Sequence, residues 1–327
     1  MNQGDQGDVN AGEDNEKGNQ NFGDGNINLN LNETIGSERG DQVLNCMHWN
    51  LNGESSSRYL LDYLIDESLN SIDVSNIFHF IALSETKLSK MSNIQFKQSF
   101  QSYQVISNSY EECVKGIDCR LNNPNNNKHG VALLYHCSLV SRIIPVKIKN
   151  PRFCSAVLTA GINYDIKVLI FAVYLPTFNK DQTEFITTLI DIQKVIEDQG
   201  CDRVIALGDW NVNEASHQQR KDFFKDWLEN NSMSIDYPDL HTHRNYVHGT
   251  NSYLDGVALS NTLAHLIQFH YTLTEGRIQM PVTTSDHFPV WFRINIDIKD
   301  IRVEKRVIKE KYKGKRVIID MVWMGAF

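Results

Sequence analysis

Short apolar runs in this sequence repeatedly end in carboxylate, amide, phenol, amine or imidazole side chains. The residues concerned are Asn50, Asn52, Glu85, Lys87, Tyr174, Asp209, Asn211, Asp255, Asp286 and His287. Each alone has an ordinary explanation, such as a turn at Asp209 or a buried core histidine at His287. Sites in α/β proteins collect at strand ends, so a whole series of polar ends in one chain favours a shared site.

The side-chain types in this series favour an oxygen-ligated divalent cation. Glu85 and Asp286 are hard oxygen ligands, and Mg²⁺ needs few of them because it keeps waters and takes the substrate phosphate. His241, His243 and His248 lie close together in the sequence, but their spacing is not that of an established closed zinc site. The sequence therefore predicts magnesium.

The elements that must position these residues follow from apolar periodicity. Continuous or alternating apolar runs predict strands at 43–49, 77–83, 130–135, 154–162, 166–174, 204–207, 253–259 and 287–294. Helical spacing predicts a helix over 56–69 with Ser55 or Ser56 as N-cap, and others over 181–198 and 216–230. Gly200 should end the second helix. Strands mixed with helices favour an α/β sandwich over a purely doubly wound sheet.

Composition divides the chain into three segments. Residues 1–42 contain nine Asn, eight Gly and one aromatic residue, which predicts a disordered segment with a net charge of −7. Residues 43–297 form the predicted globular domain, with a polar surface loop at 109–129. Residues 298–327 form a basic tail, and the net charge over 299–316 is +6.

Composition also limits location and partners. No apolar stretch approaches the roughly 18 residues that span a bilayer, and the N-terminus lacks the layout of a secretory signal. The six cysteines are irregularly spaced without a C-x-x-C pair, which favours reduced, packed thiols. We expect an intracellular protein without membrane association, and the sequence indicates no obligate protein partner.

Taken in chain order, the polar motifs resemble those of a known protein superfamily. The series N-x-N-G, S-E-T-K, Y-x-P, G-D-x-N, L-D and S-D-H resembles the endonuclease/exonuclease/phosphatase superfamily, which includes exonuclease III-like AP endonucleases and deoxyribonuclease I. The resemblance extends over residues 43–294, and G-D-W-N and S-D-H-F-P are its strongest parts. It implies a four-layered α/β sandwich in which two mixed sheets pack face to face between helices.

The resemblance implies metal-dependent hydrolysis of a phosphate ester, with Mg²⁺ as the ion and Mn²⁺ as a substitute. Glu85 corresponds to the metal-binding glutamate of the family. Asn50 lies beside the metal, and Asp286 contributes to the metal or water network.

The resemblance also implies roles around the phosphate. Asp209 orients or deprotonates the attacking water, and Asn211 supports the pentacoordinate transition state. His287 donates to a phosphoryl oxygen while Asp255 binds its other ring nitrogen. Tyr174 donates to the phosphate or to the leaving oxygen.

One position departs from the AP endonuclease pattern. Those enzymes often carry Asp where this chain has Asn52, which puts a second metal site in doubt. The endonuclease domains of non-LTR (LINE-type) retrotransposons more often carry an amide there. They also contain motifs similar to S-E-T-K-L and to Thr242-His243 of this chain. The resemblance to that subgroup implies a nuclear endonuclease that nicks DNA to leave a 3′ hydroxyl. Asn52 and Lys87 would contact DNA, and the chain would belong to a larger retrotransposon polyprotein.

Other functions remain open at the level of sequence. One is an AP endonuclease or exonuclease of DNA repair, and another is a phosphoesterase acting on RNA or a phospholipid. A catalytically dead binding scaffold is the third. Outside the two charged segments the chain carries −7, which opposes DNA affinity, so lysines near the site and the basic tail would have to supply the phosphate contacts.

Overall fold

The computed structural model describes residues 43–70, 77–109, 113, 129–160, 166–177, 182–213, 216–272 and 285–296. Within these residues the chain forms two six-stranded sheets and one two-stranded hairpin. The predicted disordered segment 1–42 and the basic tail 298–327 lie outside the described residues, as does most of the predicted loop 109–129.

The first sheet is mixed. In spatial order it contains β13 (Ile267–Thr272), β14 (Val290–Asn295), β1 (Val43–Asn50), β2 (Phe80–Ser84), β4 (Val131–His136) and β3 (Tyr103–Asn108). Its central pair, β1 and β2, is parallel, and the remaining neighbours are antiparallel.

The second sheet has the same plan. In spatial order it contains β5 (Ile143–Val146), β6 (Phe153–Ala160), β7 (Ile166–Tyr174), β8 (Arg203–Asp209), β12 (Asp255–Ser260) and β9 (Met233–Asp236). Here the parallel central pair is β7 and β8. The separate hairpin consists of β10 (His243–Asn245) and β11 (Thr250–Ser252).

The helices are α1 (Glu54–Asn70), α2 (Lys90–Gln98), α3 (Gln182–Gln199), α4 (Gln218–Asn230) and the short α5 (Asn261–Ala264), with a 3₁₀ helix at Cys137–Arg142. The predicted N-cap of α1 was wrong. The chain turns at Asn52 and Gly53, whose φ angles are 48° and 115°. The helix can therefore begin at Glu54, which places both serines inside it. Gly200 follows α3 with a φ of 58°, as predicted.

Three apolar clusters bind these elements into four layers. The largest lies between the two sheets and includes Leu44, Ile170 and Phe292. A second joins the outer face of the second sheet to α3 and α4, and the third joins the first sheet to α1 and α2. Each fully buried large apolar side chain contributes about 1.5–3 kcal/mol. The predicted fold class, two mixed sheets packed face to face and flanked by helices, is confirmed.

Cys46, Cys154 and Cys201 are buried and carry free thiols. Among the helices that the structure describes, none has the combination of length and apolar character needed to cross a membrane.

Candidate active site

The candidate site lies where the apolar alternation between the two sheets gives way to polar residues. On β1, Cys46 belongs to the core between the sheets, so the strand period of two carries His48 and Asn50 to the same face. On β8, Leu207 belongs to that core, and Asp209 follows two residues later. The site is therefore the polar end of the inter-sheet core.

Strand register brings these ends together. Asn50 pairs with Ser84 across the parallel strands β1 and β2. In the second sheet Asp209 pairs with Tyr174 on one side and with Asp255 on the other. Each sheet thus contributes its parallel central pair to the site.

Two further residues of the G-D-W-N motif, Gly208 and Trp210, fix the position of the end of β8. A Cβ atom added at Gly208 would lie 2.8 Å from both Cβ and the carbonyl oxygen of Val173, so β7 and β8 can approach closely only with glycine there. Trp210 is fully buried, donates from Nε1 to the Gly256 carbonyl at 3.2 Å and packs on Phe224. Together they fix the strand end that carries Asp209.

The Asp209 carboxylate is held by two donors. Asn50 Nδ2 donates to Asp209 Oδ2 at 2.9 Å, and the backbone N–H of Asn211 donates to Oδ1 at 3.1 Å. The Asn211 side chain donates to the Leu175 carbonyl at 2.8 Å, which fixes its amide beside Asp209. The carboxylate therefore has a defined orientation before any ligand binds.

The second buried carboxylate, Asp255, lies between two histidines. Its Oδ2 is 2.7 Å from His287 Nδ1, and its Oδ1 is 3.3 Å from His48 Nδ1. His48 Nε2 in turn lies 3.2 Å from Ser84 Oγ. His287 directs its other nitrogen, Nε2, towards Asp209 Oδ2 at 3.9 Å. We call Asn50, Asp209, Asp255, His287 and His48 the buried network.

The backbone around His287 is anchored to β1. Trp49 Nε1 donates to the His287 carbonyl at 3.0 Å. Ser285 Oγ donates to the Asn50 carbonyl at 2.6 Å and accepts from the His287 N–H at 3.1 Å. The imidazole position is thus tied to the strand that also carries Asn50.

Burial and charge set the protonation of the buried network. Burial, followed by the negative charge of Asp255, raises the pKa of Asp209 to about 8. Burial alone would lower the pKa of His287, but the Asp255 carboxylate outweighs it and raises that pKa to about 10. Burial would likewise raise the pKa of Asp255, yet His287 holds it below its ordinary value. Asp255 and His287 therefore form an ion pair beside a carboxyl group of elevated pKa.

Glu85 lies at the centre of a second, more accessible group. Its Oε2 is 3.0 Å from Lys87 Nζ, and its Oε1 accepts a hydrogen bond from the Tyr174 hydroxyl. Lys87 Nζ also donates to Asn52 Oδ1. The Glu85 and Lys87 side chains are 16% and 31% exposed, whereas the Asp255 side chain is completely buried. We call Glu85, Lys87, Asn52 and Tyr174 the Glu85 cluster.

Four site residues adopt left-handed backbone conformations. The φ angles are 48° at Asn52, 48° at Glu85, 51° at Lys87 and 50° at Asn211. Such conformations cost non-glycine residues about 1–3 kcal/mol each and are kept where the surrounding structure enforces them. They turn the chain sharply after β1, β2 and β8, which directs the side chains into the site.

Tyr174 is kept as a neutral donor. Burial, followed by the negative charge of Glu85, raises the pKa of its phenol well above the ordinary value. The Arg152 guanidinium lies 4.7 Å from the centre of the tyrosine ring, and Glu184 holds that guanidinium at 2.8 Å. The phenol is therefore both protonated and fixed in place.

A third group adjoins His287 on the hairpin side. His243 and His287 form a β-bridge with ring centres 4.8 Å apart. His243 Nδ1 is 2.9 Å from Ser252 Oγ, and its Nε2 is 3.5 Å from Asp286 Oδ2. Thr242 Oγ1 accepts the N–H of Asp255 at 3.0 Å, which ties this hairpin to the buried network.

The structure thus places all ten predicted site residues at one end of the sandwich, in three linked groups. Asp286 is the most peripheral, because the contact that the structure describes for its carboxylate is with His243. Sequence reasoning missed His48 and Arg152 and gave His243 no role at the site. The period of two along β1 could have identified His48, because it shares a face with Asn50.

The donors present fit a hard divalent cation at the Glu85 cluster. Glu85 offers a carboxylate, and the Lys87 ammonium already bridges Glu85 and Asn52, so this position attracts positive charge. Among the described residues, two groups place three carboxylate or imidazole ligand atoms within 4.8 Å of one another: Asp209, Asp255 and His287, and His243, Asp286 and His287.

Comparison with known proteins establishes the fold through structure and not through sequence. No protein-family profile matches the chain, and no curated protein is similar to it. The chain is similar to the AP endonuclease LMAP from Leishmania major, with a TM-score of 0.59 and 11% identity over 78% of this chain and 88% of that one.

Two further solved structures share the arrangement. The endonuclease domain of TRAS1, a telomere-specific non-LTR retrotransposon, gives a TM-score of 0.53 and 14% identity over 77% of this chain and 99% of that one. The 3′-5′ exonuclease NExo from Neisseria meningitidis gives 0.54 and 13%, over 77% and 100%. The chain therefore has the DNase I-like fold of the endonuclease/exonuclease/phosphatase structures. The likeness does not distinguish retrotransposon endonucleases from AP endonucleases.

Proposed function

We propose that this protein is a Mg²⁺-dependent phosphodiesterase that nicks DNA and leaves a 3′ hydroxyl. The observation that carries the proposal is the buried network, in which Asn50 orients Asp209 and Asp255 orients His287, beside the cation-attracting Glu85 cluster. A binding scaffold would not need an imidazole and a carboxyl group held in this way without solvent.

Asp209 is the proposed base. Asn50 and the Asn211 backbone hold its two oxygens, and its pKa is raised to about 8. A base works best when its pKa lies near the working pH. Asp209 can therefore orient the attacking water and accept its proton.

His287 and Asn211 are the proposed donors to the phosphoryl oxygens. Asp255 fixes the orientation of the His287 ring and keeps the imidazole charged, which favours a charge-assisted contact with phosphate. One amide hydrogen of Asn211 is committed to Leu175, which leaves the other for the transition state. Donors fixed in advance stabilise developing charge without reorganisation.

Glu85 and Asn50 are the proposed Mg²⁺ ligands, with Asp286 in the surrounding water network and Mn²⁺ as a substitute ion. When bound, the ion would neutralise phosphate charge and make water more acidic. Tyr174, kept protonated by burial and Glu85, would donate to the phosphate or the leaving oxygen.

The proposed substrate is DNA, nicked in the manner of retrotransposon target sites, and the proposed location is the nucleus within a larger element. Asn52 supports this choice, because the amide matches the LINE-type pattern. One similar structure is named as the endonuclease domain of a non-LTR retrotransposon. Asn52 and Lys87 would contact the DNA once a cation releases Lys87 from Glu85.

A panel of substrates tests the choice of DNA. Purified protein is incubated with Mg²⁺ and an intact DNA duplex, a duplex with one abasic site, an RNA strand or a phosphoinositide. We expect cleavage of intact duplex at no less than the abasic rate, and polymerase extension from the nick would show a 3′ hydroxyl. Preference for the abasic duplex would favour repair, and cleavage of RNA or lipid alone would refute the DNA proposal.

A further inference from the structure

Beside the buried network lies a group of ligand atoms that is rich in nitrogen. His243, Asp286 and His287 each offer one ligand atom, and these atoms lie within 4.8 Å of one another. His243 Nε2 and Asp286 Oδ2 are already 3.5 Å apart. A tetrahedral ion with bonds of about 2.0–2.1 Å needs ligand atoms roughly 3.3 Å apart, so small side-chain movements would complete the site.

The orientation of both imidazoles matches that of metal ligands. Histidines that bind metals donate their second ring nitrogen to a carboxylate, carbonyl or other acceptor, which fixes the ring. Here His287 Nδ1 lies 2.7 Å from Asp255 Oδ2, and His243 Nδ1 lies 2.9 Å from Ser252 Oγ. His243 Nε2 faces Asp286 Oδ2 at 3.5 Å, and His287 Nε2, 3.9 Å from Asp209 Oδ2, is the ring nitrogen that Asp255 does not engage.

Charge and access also favour a cation at this position. The Asp255 carboxylate adds negative charge behind His287, 2.7 Å from its Nδ1. The His243 and Asp286 side chains are 18% and 42% exposed, so an ion can enter from solvent. The His287 side chain is 7% exposed and lies on the buried side of the site.

We infer that His243, Asp286 and His287 form a site for a late first-row transition-metal ion of the Zn²⁺ class, separate from the proposed Mg²⁺ position. Two imidazoles and one carboxylate suit Zn²⁺, and the Irving–Williams order places Zn²⁺ and Cu²⁺ above Mn²⁺ at such ligands. Mg²⁺ prefers oxygen ligands and is a poor competitor here.

Occupation of this site has a consequence that rests on the proposed function. A metal on His287 Nε2 occupies the atom that would contact the phosphoryl oxygen. Zn²⁺ would therefore inhibit the Mg²⁺-dependent reaction, and the site would act as an inhibitory metal sensor. The binding claim itself does not depend on any activity.

Direct binding is measured with Co²⁺, whose visible absorption reports imidazole and carboxylate ligation, in excess Mg²⁺ so that the Glu85 cluster is occupied. The full chain should bind one Co²⁺. His243→Gln should weaken binding at least tenfold, because loss of a metal-orienting partner alone costs about 10–100-fold. His248→Gln, an exposed histidine on the same hairpin, is the matched control and should bind as the wild type does.

Thermal melting checks that His243→Gln is folded, and Asp286→Asn replaces it if it is not. Wild-type Co²⁺ affinity in a folded ligand variant, or no Co²⁺ binding by the folded wild-type chain, would overturn the site.

The inhibitory role is measured separately by adding Zn²⁺ to the Mg²⁺-dependent cleavage assay. Half-inhibition of His243→Gln should need at least tenfold more Zn²⁺ than that of the wild type or His248→Gln, with each rate divided by the rate of the same variant without Zn²⁺. Equal inhibition of both would overturn the inhibitory role even if Co²⁺ binds. A wild-type chain that binds Co²⁺ but cleaves nothing would contradict the proposed function and leave the metal site supported.

Discussion

The buried network and the Glu85 cluster differ in how far the protein already satisfies their polar groups. In the buried network Asp209 and Asp255 are enclosed, and side chains from or next to the first sheet contact both carboxylates, Asn50 at Asp209 and His48 and His287 at Asp255. In the Glu85 cluster the partner of Glu85 is the ammonium of Lys87, which remains 31% exposed. A solvated ammonium can leave, whereas Asn50 and His48 are enclosed within the inter-sheet face.

This difference assigns different tasks to the two groups. The buried network is fixed before substrate arrives, as transition-state stabilisation requires. The Glu85 cluster is occupied by an exchangeable positive charge, as a site for a dissociable ion requires. The contrast predicts that added Mg²⁺ compensates for loss of Glu85 and does not compensate for loss of Asp209 or His287, which are not proposed Mg²⁺ ligands.

The largest effect should come from Asp209→Asn. The amide keeps the shape of the side chain but cannot accept a proton, so the cleavage rate should fall about 10²–10⁴-fold. The rate is measured in single turnover over a range of Mg²⁺ concentrations. Recovery of the rate at high Mg²⁺ would show that Asp209 acts by binding the cation, as Glu85 is proposed to do, and would contradict its assignment as the base.

Glu85→Gln should act on the cation instead. Loss of the carboxylate weakens the site for Mg²⁺, so the concentration for half-maximal activity should rise at least tenfold, with much of the maximal rate recovered. A fall in maximal rate at an unchanged Mg²⁺ requirement would contradict this assignment.

His48→Asn should act mainly on stability. The substitution removes a fully buried imidazole that lies 3.3 Å from Asp255 Oδ1 and 3.2 Å from Ser84 Oγ, and a buried polar group left unsatisfied costs about 1–3 kcal/mol. Urea unfolding measures this change, with the exposed His265→Asn as the control. Unchanged stability would show that His48 does not support Asp255.

The smallest effect should come from Lys87→Met. An exposed ion pair contributes about 0–1 kcal/mol, so the melting temperature should hardly change. The Mg²⁺ requirement should fall, because the competing ammonium is gone. A raised requirement would show that Lys87 helps to assemble the site.

Apolar periodicity was sufficient to predict an α/β sandwich because the strands are apolar and the parallel pairs are enclosed, whereas the two face-to-face sheets were predicted from the motif resemblance. The runs at 43–49, 166–174 and 204–207 correspond closely to β1, β7 and β8. Weakly apolar or short elements, such as β3, β9 and the β10–β11 hairpin, were not predicted, because short or mostly polar runs carry little periodic signal.

The candidate site was predictable as a set of residues but not as a set of contacts. Motifs at strand ends identified Asp209 and His287, yet nothing local in the sequence indicates that His48 and His287 share one carboxylate. That contact depends on the register of β1, β12 and β14 across two sheets. The position of His243 beside His287 likewise depends on a bridge that pairs residues far apart in the chain.

A nicking assay on supercoiled plasmid tests the central claim most directly. Wild-type protein and Asp209→Asn, shown by circular dichroism to be equally folded, are incubated with plasmid in Mg²⁺ or in EDTA. The account predicts conversion to open circles by the wild type with Mg²⁺ alone. Equal nicking by folded Asp209→Asn, or no nicking by folded wild-type protein, would contradict it.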